Sequence, residues 1–177
     1  MAPGIEIRQL AADDAPAYRQ LRLRMLDLYP DAFTSSVDED IQHPLKWTES
    51  RIAWSAWAPD NFVLGAFGQS GELIGAVGIT RESRIKQLHK ATLFGMFVAP
   101  EHAGTGTGRA LLENCLARCR ASPGLMQVNL TVTTSNRRAC AFYQAAGFLA
   151  FGIEERAILV DAVFYDKTHM TLRLKTS

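Results

Sequence analysis

Apolar positions along the chain recur with two periods, and each period predicts one type of element. Alternation at every second residue predicts strands at 5–10, 62–67, 73–79, 126–132, 149–156 and 163–174, and a continuous apolar run predicts a buried strand at 93–98. Recurrence at every third or fourth residue predicts four helices, which start near Asp13, Pro44, Ala110 and Asn136. The order β, α, α, β, β, β, α, β, α, β, β predicts a single mixed α/β domain over residues 1–177.

The apolar run at 93–98 is followed by a loop with three glycines at alternate positions. Pro100 ends the run, because proline has no N–H group for a sheet ladder. Gly104, Gly106 and Gly108 come next, and apolar residues at helical spacing follow them directly. Glycines let backbone N–H groups approach a ligand closely, and the first turn of a helix leaves unpaired donors at its positive end. The order strand, glycine loop, helix therefore predicts an anion-binding site.

Three known types of anion-binding glycine loop could account for this pattern, and two of them do not match the sequence. A triphosphate-binding loop has a lysine after its glycines, and none stands here. A dinucleotide fingerprint needs glycine where Arg109 stands and an acidic residue about 20 positions on, but no Asp or Glu occurs between Glu113 and Glu154. The remaining pattern resembles the acetyl-CoA pyrophosphate loop of the GCN5-related N-acetyltransferase (GNAT) superfamily. The acid-free interval also carries arginines that suit a ligand with several phosphates: Arg118, Arg120, Arg137 and Arg138.

A second stretch supports the resemblance independently. Residues 125–148 are similar to the family's second half-site, a strand followed by the pattern N-x-x-A-x-x-F-Y-x-x-x-G-F. The matching positions are Asn136, Ala139, Phe142, Tyr143, Gly147 and Phe148. Two motifs in the right order make the resemblance specific. It covers most of the chain and is weakest before Asn61.

The resemblance implies a fold and a set of cofactor contacts. The fold is a single α/β domain with a mixed sheet of about seven strands, splayed at its central strands and flanked by about four helices. The pantetheine arm would pair with the main chain at 96–98, and the pyrophosphate would rest on the amides of the glycine loop. The implied cofactor-binding residues are Met96, Phe97, Val98, Ala103, Gly104, Thr105, Gly106, Thr107, Gly108, Arg109, Asn136 and Tyr143.

Some of these positions carry a second interpretation. Ala103 departs from the family, which usually has Arg or Gln there, so one edge of the pyrophosphate site lacks a side chain. Tyr143 matches the family's general acid, which protonates the departing thiolate, but it also fits an amphipathic core tyrosine. Asn136 fits a helix cap as well as a cofactor ligand. Arg109 fits either a phosphate ligand or a solvated helix residue.

The sequence leaves the general base open. A lysine-type amine has a pKa of about 10.4, so its proton must be removed before the nitrogen can attack a thioester. Glu82, His89, Glu101 and His102 stand near predicted strand ends that flank the site. A chain of water molecules serving as the base is the other possibility.

Two segments of the first half could contact the acceptor, and the resemblance implies that the helical region after Pro44 borders the acceptor pocket. Residues 31–43 are predicted to form a loop with the acidic triplet Asp38-Glu39-Asp40, which is either a solvated surface or an attraction for a cationic acceptor. The helix after Pro44 would place three tryptophans on one face, either as core or as a wall of the pocket. They are Trp47, Trp54 and Trp57.

Composition and charge remove several classes of function. Lys plus Arg is 19 and Asp plus Glu is 18, so the net charge of +1 gives no general attraction for nucleic acid or membrane. No apolar run is long enough to span a bilayer, and the N-terminus lacks the apolar core of a signal peptide. Three cysteines predict reduced thiols in a cytoplasmic protein. Cys115 and Cys119 have no further Cys or His nearby, so no metal site is expected.

Together these observations predict a cytoplasmic, acetyl-CoA-dependent N-acetyltransferase, active as a monomer or homodimer without a metal. The acetyl group would pass directly to a primary amine within a ternary complex. A polyamine, an amino acid, an antibiotic and a protein N-terminus all fit as acceptor. The alternative is a non-catalytic CoA-binding or regulatory domain with the same fold.

Overall fold

The computed structural model describes residues 4–53 and 60–174, and a mixed sheet of seven strands runs through this part of the chain. The strands are β1 (Glu6–Gln9), β2 (Phe62–Phe67), β3 (Leu73–Arg81), β4 (Lys90–Val98), β5 (Gln127–Thr133), β6 (Leu149–Val160) and β7 (Val163–Arg173). Their order is β1-β2-β3-β4-β5-β7-β6, with β4 and β5 parallel and the other neighbours antiparallel. The predicted seven-stranded mixed sheet is confirmed, and it is not closed.

Helices cover both faces of the sheet in the described ranges. They are α1 (Ala15–Leu28), α2 (Val37–Gln42), α3 (Leu45–Ile52), α4 (Thr107–Ala121) and α5 (Arg137–Ala145). Alternation along β2 shows which face each helix covers. Val63 packs in one core cluster with Tyr18 of α1, and Leu64 packs in the other with Leu111 of α4. None of the described helices is both long and apolar enough to cross a membrane.

The short helix α2 lies in the segment 31–43, which the sequence predicted to be a loop. A capping box starts this helix: the Glu39 N–H donates to Ser36 Oγ at 3.2 Å, and the Ser36 N–H donates to Glu39 Oε2 at 2.8 Å. A helix of six residues is too short for a hydrophobic period to show. The S-x-x-E spacing was therefore the only local signal for it.

The two central strands separate, as predicted. Strand β4 pairs with β5 only over Lys90–Thr92, although β5 continues to pair with β7 as far as Thr133. A register shift on the other side of β4 sets Gly95 and Met96 against Val77 of β3. Gly95 has φ +56°, a left-handed conformation that favours glycine. Beyond Thr92, the edge of β4 that faces β5 therefore has no ladder partner on β5.

Candidate active site

A cavity of about 550 Å³ opens where β4 and β5 separate. Its walls come from the end of β4, the glycine loop, the first turns of α5 and the segment around the end of α1. Ten of the twelve predicted cofactor-binding residues line it: Met96, Phe97, Val98, Ala103, Gly104, Gly106, Gly108, Arg109, Asn136 and Tyr143. Thr105 and Thr107 are the two predicted residues that do not belong to the lining.

Two glycines of the loop adopt left-handed backbone conformations. Gly104 and Gly106 adopt φ +78° and +89°, and Gly106 is the N-cap of α4. Thr107 is fully buried, and its hydroxyl lies 2.8 Å from that of Thr105. The Thr105 hydroxyl in turn donates to the carbonyl of His102 at 2.7 Å. The two threonine side chains therefore hold the loop, and the N–H groups of the first turn of α4 remain without intrahelical partners.

Tyr143 lines the cavity from the inner side of α5. Its ring lies 5.3 Å from that of Phe142 and 5.8 Å from that of Phe148, measured between centroids. Burial raises the pKa of the Tyr143 phenol above its usual range, so the hydroxyl keeps its proton at neutral pH. No hydrogen bond joins this hydroxyl to another residue in the described part of the chain. It is therefore a neutral donor facing a cavity.

Asn136 has both of the features that the sequence suggested for it. Its side-chain oxygen accepts a hydrogen bond from the Ala139 N–H at 3.0 Å, which caps α5. The amide nitrogen of the same side chain is left as a donor at the cavity. The cap is a structural fact, and the contact with a cofactor remains a prediction.

The charged side chains of the lining are positive. Arg109 is 80% exposed and forms an i, i+4 ion pair with Glu113 at 2.8 Å. Arg138 lines the cavity as well. Because these groups surround the glycine loop and the start of α5, this end of the cavity suits a polyanion.

A further wall comes from the end of α1 and the loop after it, and sequence reasoning missed it. Met25, Tyr29, Ala32 and Phe33 line the cavity there. The ring of Phe33 packs edge-on against Phe97 of β4, with centroids 6.4 Å apart. The apolar positions of this segment showed only a helical period, which carries no information about the distant strand they face. The other lining residues not predicted as cofactor ligands are Pro100, His102, Arg138, Ala139 and Phe142.

A buried lysine of β7 holds the loop after α1 in place. Lys167 is 5% exposed, and its ammonium donates to the carbonyls of Asp31 at 3.3 Å and Ala32 at 3.2 Å. It also donates to the Thr133 hydroxyl at 2.8 Å, which itself donates to the Asp31 carbonyl at 2.5 Å. Burial lowers the pKa of Lys167. The wall thus depends on side chains from two strands that lie far along the chain.

The predicted candidate bases lie at opposite ends of β4. Glu82 and His89 adjoin its start, where the Glu82 N–H donates to the Lys90 carbonyl at 3.0 Å, and neither residue lines the cavity. Glu101 adjoins its end, but its carboxylate forms an ion pair with Arg24. His102 is the candidate that lines the cavity.

The acidic triplet is neither wholly solvated nor aimed at the cavity. Asp38, Glu39 and Asp40 form the first turn of α2. Asp40 is buried, and its carboxylate pairs with the buried guanidinium of Arg22 in α1. Glu39 caps the helix at Ser36. The triplet therefore attaches α2 to α1.

The predicted row of three tryptophans is described only in part. Trp47 lies in α3, where its ring stacks on His43 with centroids 4.1 Å apart, and it does not belong to the cavity lining. Trp54 and Trp57 lie outside the described residues.

The cysteines carry no sign of a shared function. Cys115, Cys119 and Cys140 are all unpaired, and the first two are buried in the core. Among residues 4–53 and 60–174, no three His, Cys, Asp or Glu side chains are grouped as a metal site would need.

Comparison with known proteins gives the class to which this fold and site belong. The model of the acetyltransferase (GNAT) family matches residues 22–148. A [ribosomal protein bS18]-alanine N-acetyltransferase of Salmonella typhimurium is 30% identical over 123 residues, 65% of this chain and 80% of that protein. A spermidine N(1)-acetyltransferase of Vibrio cholerae is 26% identical over 94 residues, 53% of this chain and about half (54%) of that protein.

A solved structure matches almost the whole fold. An acetyltransferase of the GNAT family from Streptococcus pneumoniae superposes with a TM-score of 0.87 at 27% identity, over 96% of this chain and 99% of that one. The chain belongs to the GNAT family of acetyltransferases. It is accordingly an N-acetyltransferase with acetyl-CoA as its cosubstrate.

Proposed function

We propose that the protein transfers the acetyl group of acetyl-CoA directly to the nitrogen of a primary amine, with both substrates bound in one cavity. One observation carries the proposal: the cavity runs from the glycine loop to the apolar wall at the end of α1, and β4 and Tyr143 line it in between. The glycine loop would hold the pyrophosphate. The apolar wall would hold the amine.

The unpaired edge of β4 supplies the electrophilic part of the site. Backbone groups beyond Thr92 have no partner on β5, and Met96, Phe97 and Val98 line the cavity. N–H groups that a folded strand holds in place can stabilise negative charge on the thioester oxygen without reorganising during the reaction. We assign to these residues both the pantetheine arm and the polarisation of the thioester.

Tyr143 is the proposed general acid. Its phenol is held neutral by burial, and its hydroxyl has no other described partner. A departing CoA thiolate requires a proton, and a neutral donor beside the sulfur supplies it. Asn136, at the start of the same helix, would donate its amide N–H to the cofactor.

The amine is proposed to lose its proton to water as it enters. The titratable groups of the described lining are Tyr29, His102, Arg109, Arg138 and Tyr143, and no Asp or Glu is among them. Transfer of an ammonium group into an apolar space lowers its pKa, because burial disfavours the charged form. The apolar wall therefore favours the neutral amine, and His102 is available to pass the proton on.

The function is tested by binding and by turnover on the same protein. Calorimetry measures acetyl-CoA affinity, and release of CoA thiol measures transfer to a panel of primary amines. The panel includes spermidine and a peptide with N-terminal alanine, because relatives are named for these acceptors. We expect binding, and thiol release with mass-spectrometric acetylation of at least one amine. Binding without release from any amine would support the non-catalytic alternative, and no binding would disprove the proposal.

The cellular setting is part of the proposal. Three unpaired cysteines are typical of a reducing compartment, so we propose a cytoplasmic location. The near-neutral net charge of +1 supports an enzyme that does not bind nucleic acid. For the assembly we propose a homodimer.

A further inference from the structure

The amine end of the cavity has a composition that restricts the acceptor. We infer that the acceptor is a monoamine with an apolar or aromatic body, and that amines with a second positive charge are excluded. The inference rests on the proposed function, because it assigns the wall at the end of α1 to the acceptor. It goes further in naming the chemical class of that acceptor.

The wall itself offers apolar contact and a single phenol. Met25 is 4% exposed and Phe97 is 5% exposed, so both belong to the core that supports the cavity. Phe33 lies across Phe97, and the ring of Tyr18 supports Phe97 from behind at 6.0 Å. Burying an alkyl chain or an aromatic ring against such a surface is favourable, because apolar area is removed from water.

Three carboxylates of the segments around this wall have partners elsewhere. Asp40 pairs with Arg22 within the core, Glu39 accepts the Ser36 N–H, and Glu101 pairs with Arg24. Residues 54–59, which the structure does not describe, have the sequence Trp-Ser-Ala-Trp-Ala-Pro and contain no acidic residue. The cavity lining formed by the described residues contains no Asp or Glu.

A second ammonium group would be destabilised in such a site. It would lose its water without gaining a counter-charge, and the charges of the lining, on Arg109 and Arg138, would repel it. Specificity of this kind arises from rejecting the wrong partner as much as from binding the right one. A monoamine avoids the penalty, because its one nitrogen enters in the neutral form.

A matched pair of probes tests the inference. n-Hexylamine and 1,6-diaminohexane have the same chain and differ by one ammonium group. We expect kcat/KM for n-hexylamine to exceed that for the diamine by about tenfold or more, as for an unpaired buried charge. Calorimetry on the protein saturated with CoA gives the same comparison as binding, without turnover. A diamine that reacts or binds as well as the monoamine would overturn the inference.

A single substitution should change this preference. Tyr29→Glu places a carboxylate in the lining at a position that is 44% exposed, so the variant is expected to fold. It should raise the diamine to monoamine ratio of kcat/KM, and of affinity, by about tenfold. Its neighbour Leu28 is 46% exposed and does not line the cavity, so Leu28→Glu is the matched control and should leave the ratio unchanged.

Failure of the proposed function can be distinguished from failure of the inference about the acceptor. If acetyl-CoA binds but no amine releases thiol, the proposed function fails, and the calorimetric comparison still decides on the acceptor class. If amines react but Tyr29→Glu and Leu28→Glu shift the ratio equally, the effect is one of general surface charge. In that case the wall at the end of α1 does not select the acceptor.

Discussion

At the scale of single residues, Gly106 decides whether the loop can present its amides. It caps α4 in a left-handed conformation at φ +89°, which costs an L-residue about 1 kcal/mol or more. Gly106→Ala should lower acetyl-CoA affinity by about tenfold, which corresponds to one charge-assisted hydrogen bond. Calorimetry on the purified variant measures the loss.

Gly71 provides the control for backbone strain. Gly71 belongs to the turn between β2 and β3 and has φ +84°. A Cβ atom introduced at this position would have no heavy atom within 4 Å. Gly71→Ala should lose similar stability in a denaturant titration and keep the affinity for acetyl-CoA. Equal losses of acetyl-CoA affinity in both variants would show that backbone strain, rather than the loss of a contact at the glycine loop, explains the lower affinity of Gly106→Ala.

Tyr143 makes a prediction about the pH dependence of the reaction. Tyr143→Phe keeps the ring between Phe142 and Phe148, so acetyl-CoA affinity should change little. The value of kcat should fall by about 10²–10⁴-fold, as for a positioned general acid. The loss should shrink above about pH 8.5, where a thiolate leaves without a proton. Identical pH–rate profiles from pH 6 to 9 would make Tyr143 a structural residue.

The same residue has a consequence for stability. Its folded-state pKa lies above the ordinary value of 10.0, so folding favours the protonated phenol. This contribution is fully present below pH 10 and is lost as the pH rises towards the folded-state pKa. The difference in unfolding free energy between the wild type and Tyr143→Phe should therefore fall only in that alkaline range.

At the scale of elements, the cavity depends on how β7 and β5 hold the loop after α1. Lys167→Met keeps the length of the side chain and removes three hydrogen bonds, to Asp31, Ala32 and Thr133. We expect KM for the amine to rise by about tenfold, which corresponds to ~1.4 kcal/mol. That is part of the roughly 1 kcal/mol that each of the three bonds contributes to holding the wall. Acetyl-CoA affinity should stay unchanged, because the glycine loop lies on other elements. Lys86→Met, at an exposed position, is the control and should change neither quantity.

The ammonium of Lys167 also gives a signature in stability measurements. Burial lowers its pKa below the ordinary value of 10.5, so the unfolded chain binds this proton more tightly than the folded one. The free energy of unfolding therefore increases as the pH rises from the folded-state pKa to the unfolded-state pKa of Lys167. The wild type should gain stability relative to Lys167→Met across this window. A difference that is constant with pH would mean that Lys167 is not buried as an ammonium group.

At the scale of the whole molecule, the edge hairpin of β6 and β7 predicts self-association. Its exposed apolar residues include Leu149, Phe151, Ile153, Leu159 and Phe164, each more than half exposed. The two phenylalanines alone expose on the order of 230 Å² of side-chain surface, if ~200 Å² is taken as the full area of each aromatic side chain. Within the described residues no strand pairs with the outer edge of β6, and a second copy of the strand would satisfy its main-chain groups.

Sedimentation velocity over a range of concentrations tests the homodimer. The double variant Phe151→Ser and Phe164→Ser should dissociate it to monomers. Ile85→Ser is the control, since Ile85 is 87% exposed on a different part of the surface and should not affect the mass. A wild type that stays monomeric at all concentrations would rule out this interface.

The sequence by itself determined the features that follow from local backbone chemistry. Left-handed glycines at Gly104 and Gly106, the cap at Asn136 and the periodic strands and helices all depend on residues within a few positions of one another. The order of these elements, together with the two motifs, was enough to predict the mixed sheet and its splayed centre. Ten of the twelve residues that the sequence predicted as cofactor ligands lie around one cavity in the structure.

Only the tertiary structure decided what faces that cavity from the amine side. The wall of Tyr29 and Phe33 is held by Lys167, and α2 is attached through the buried pair of Arg22 and Asp40. These contacts join segments that are distant in sequence, and a hydrophobic period shows that a side chain is buried without showing against what. The sequence could thus identify the acetyl donor, whose proposed site is mostly backbone, but not the acceptor, whose proposed site consists of side chains brought together by folding.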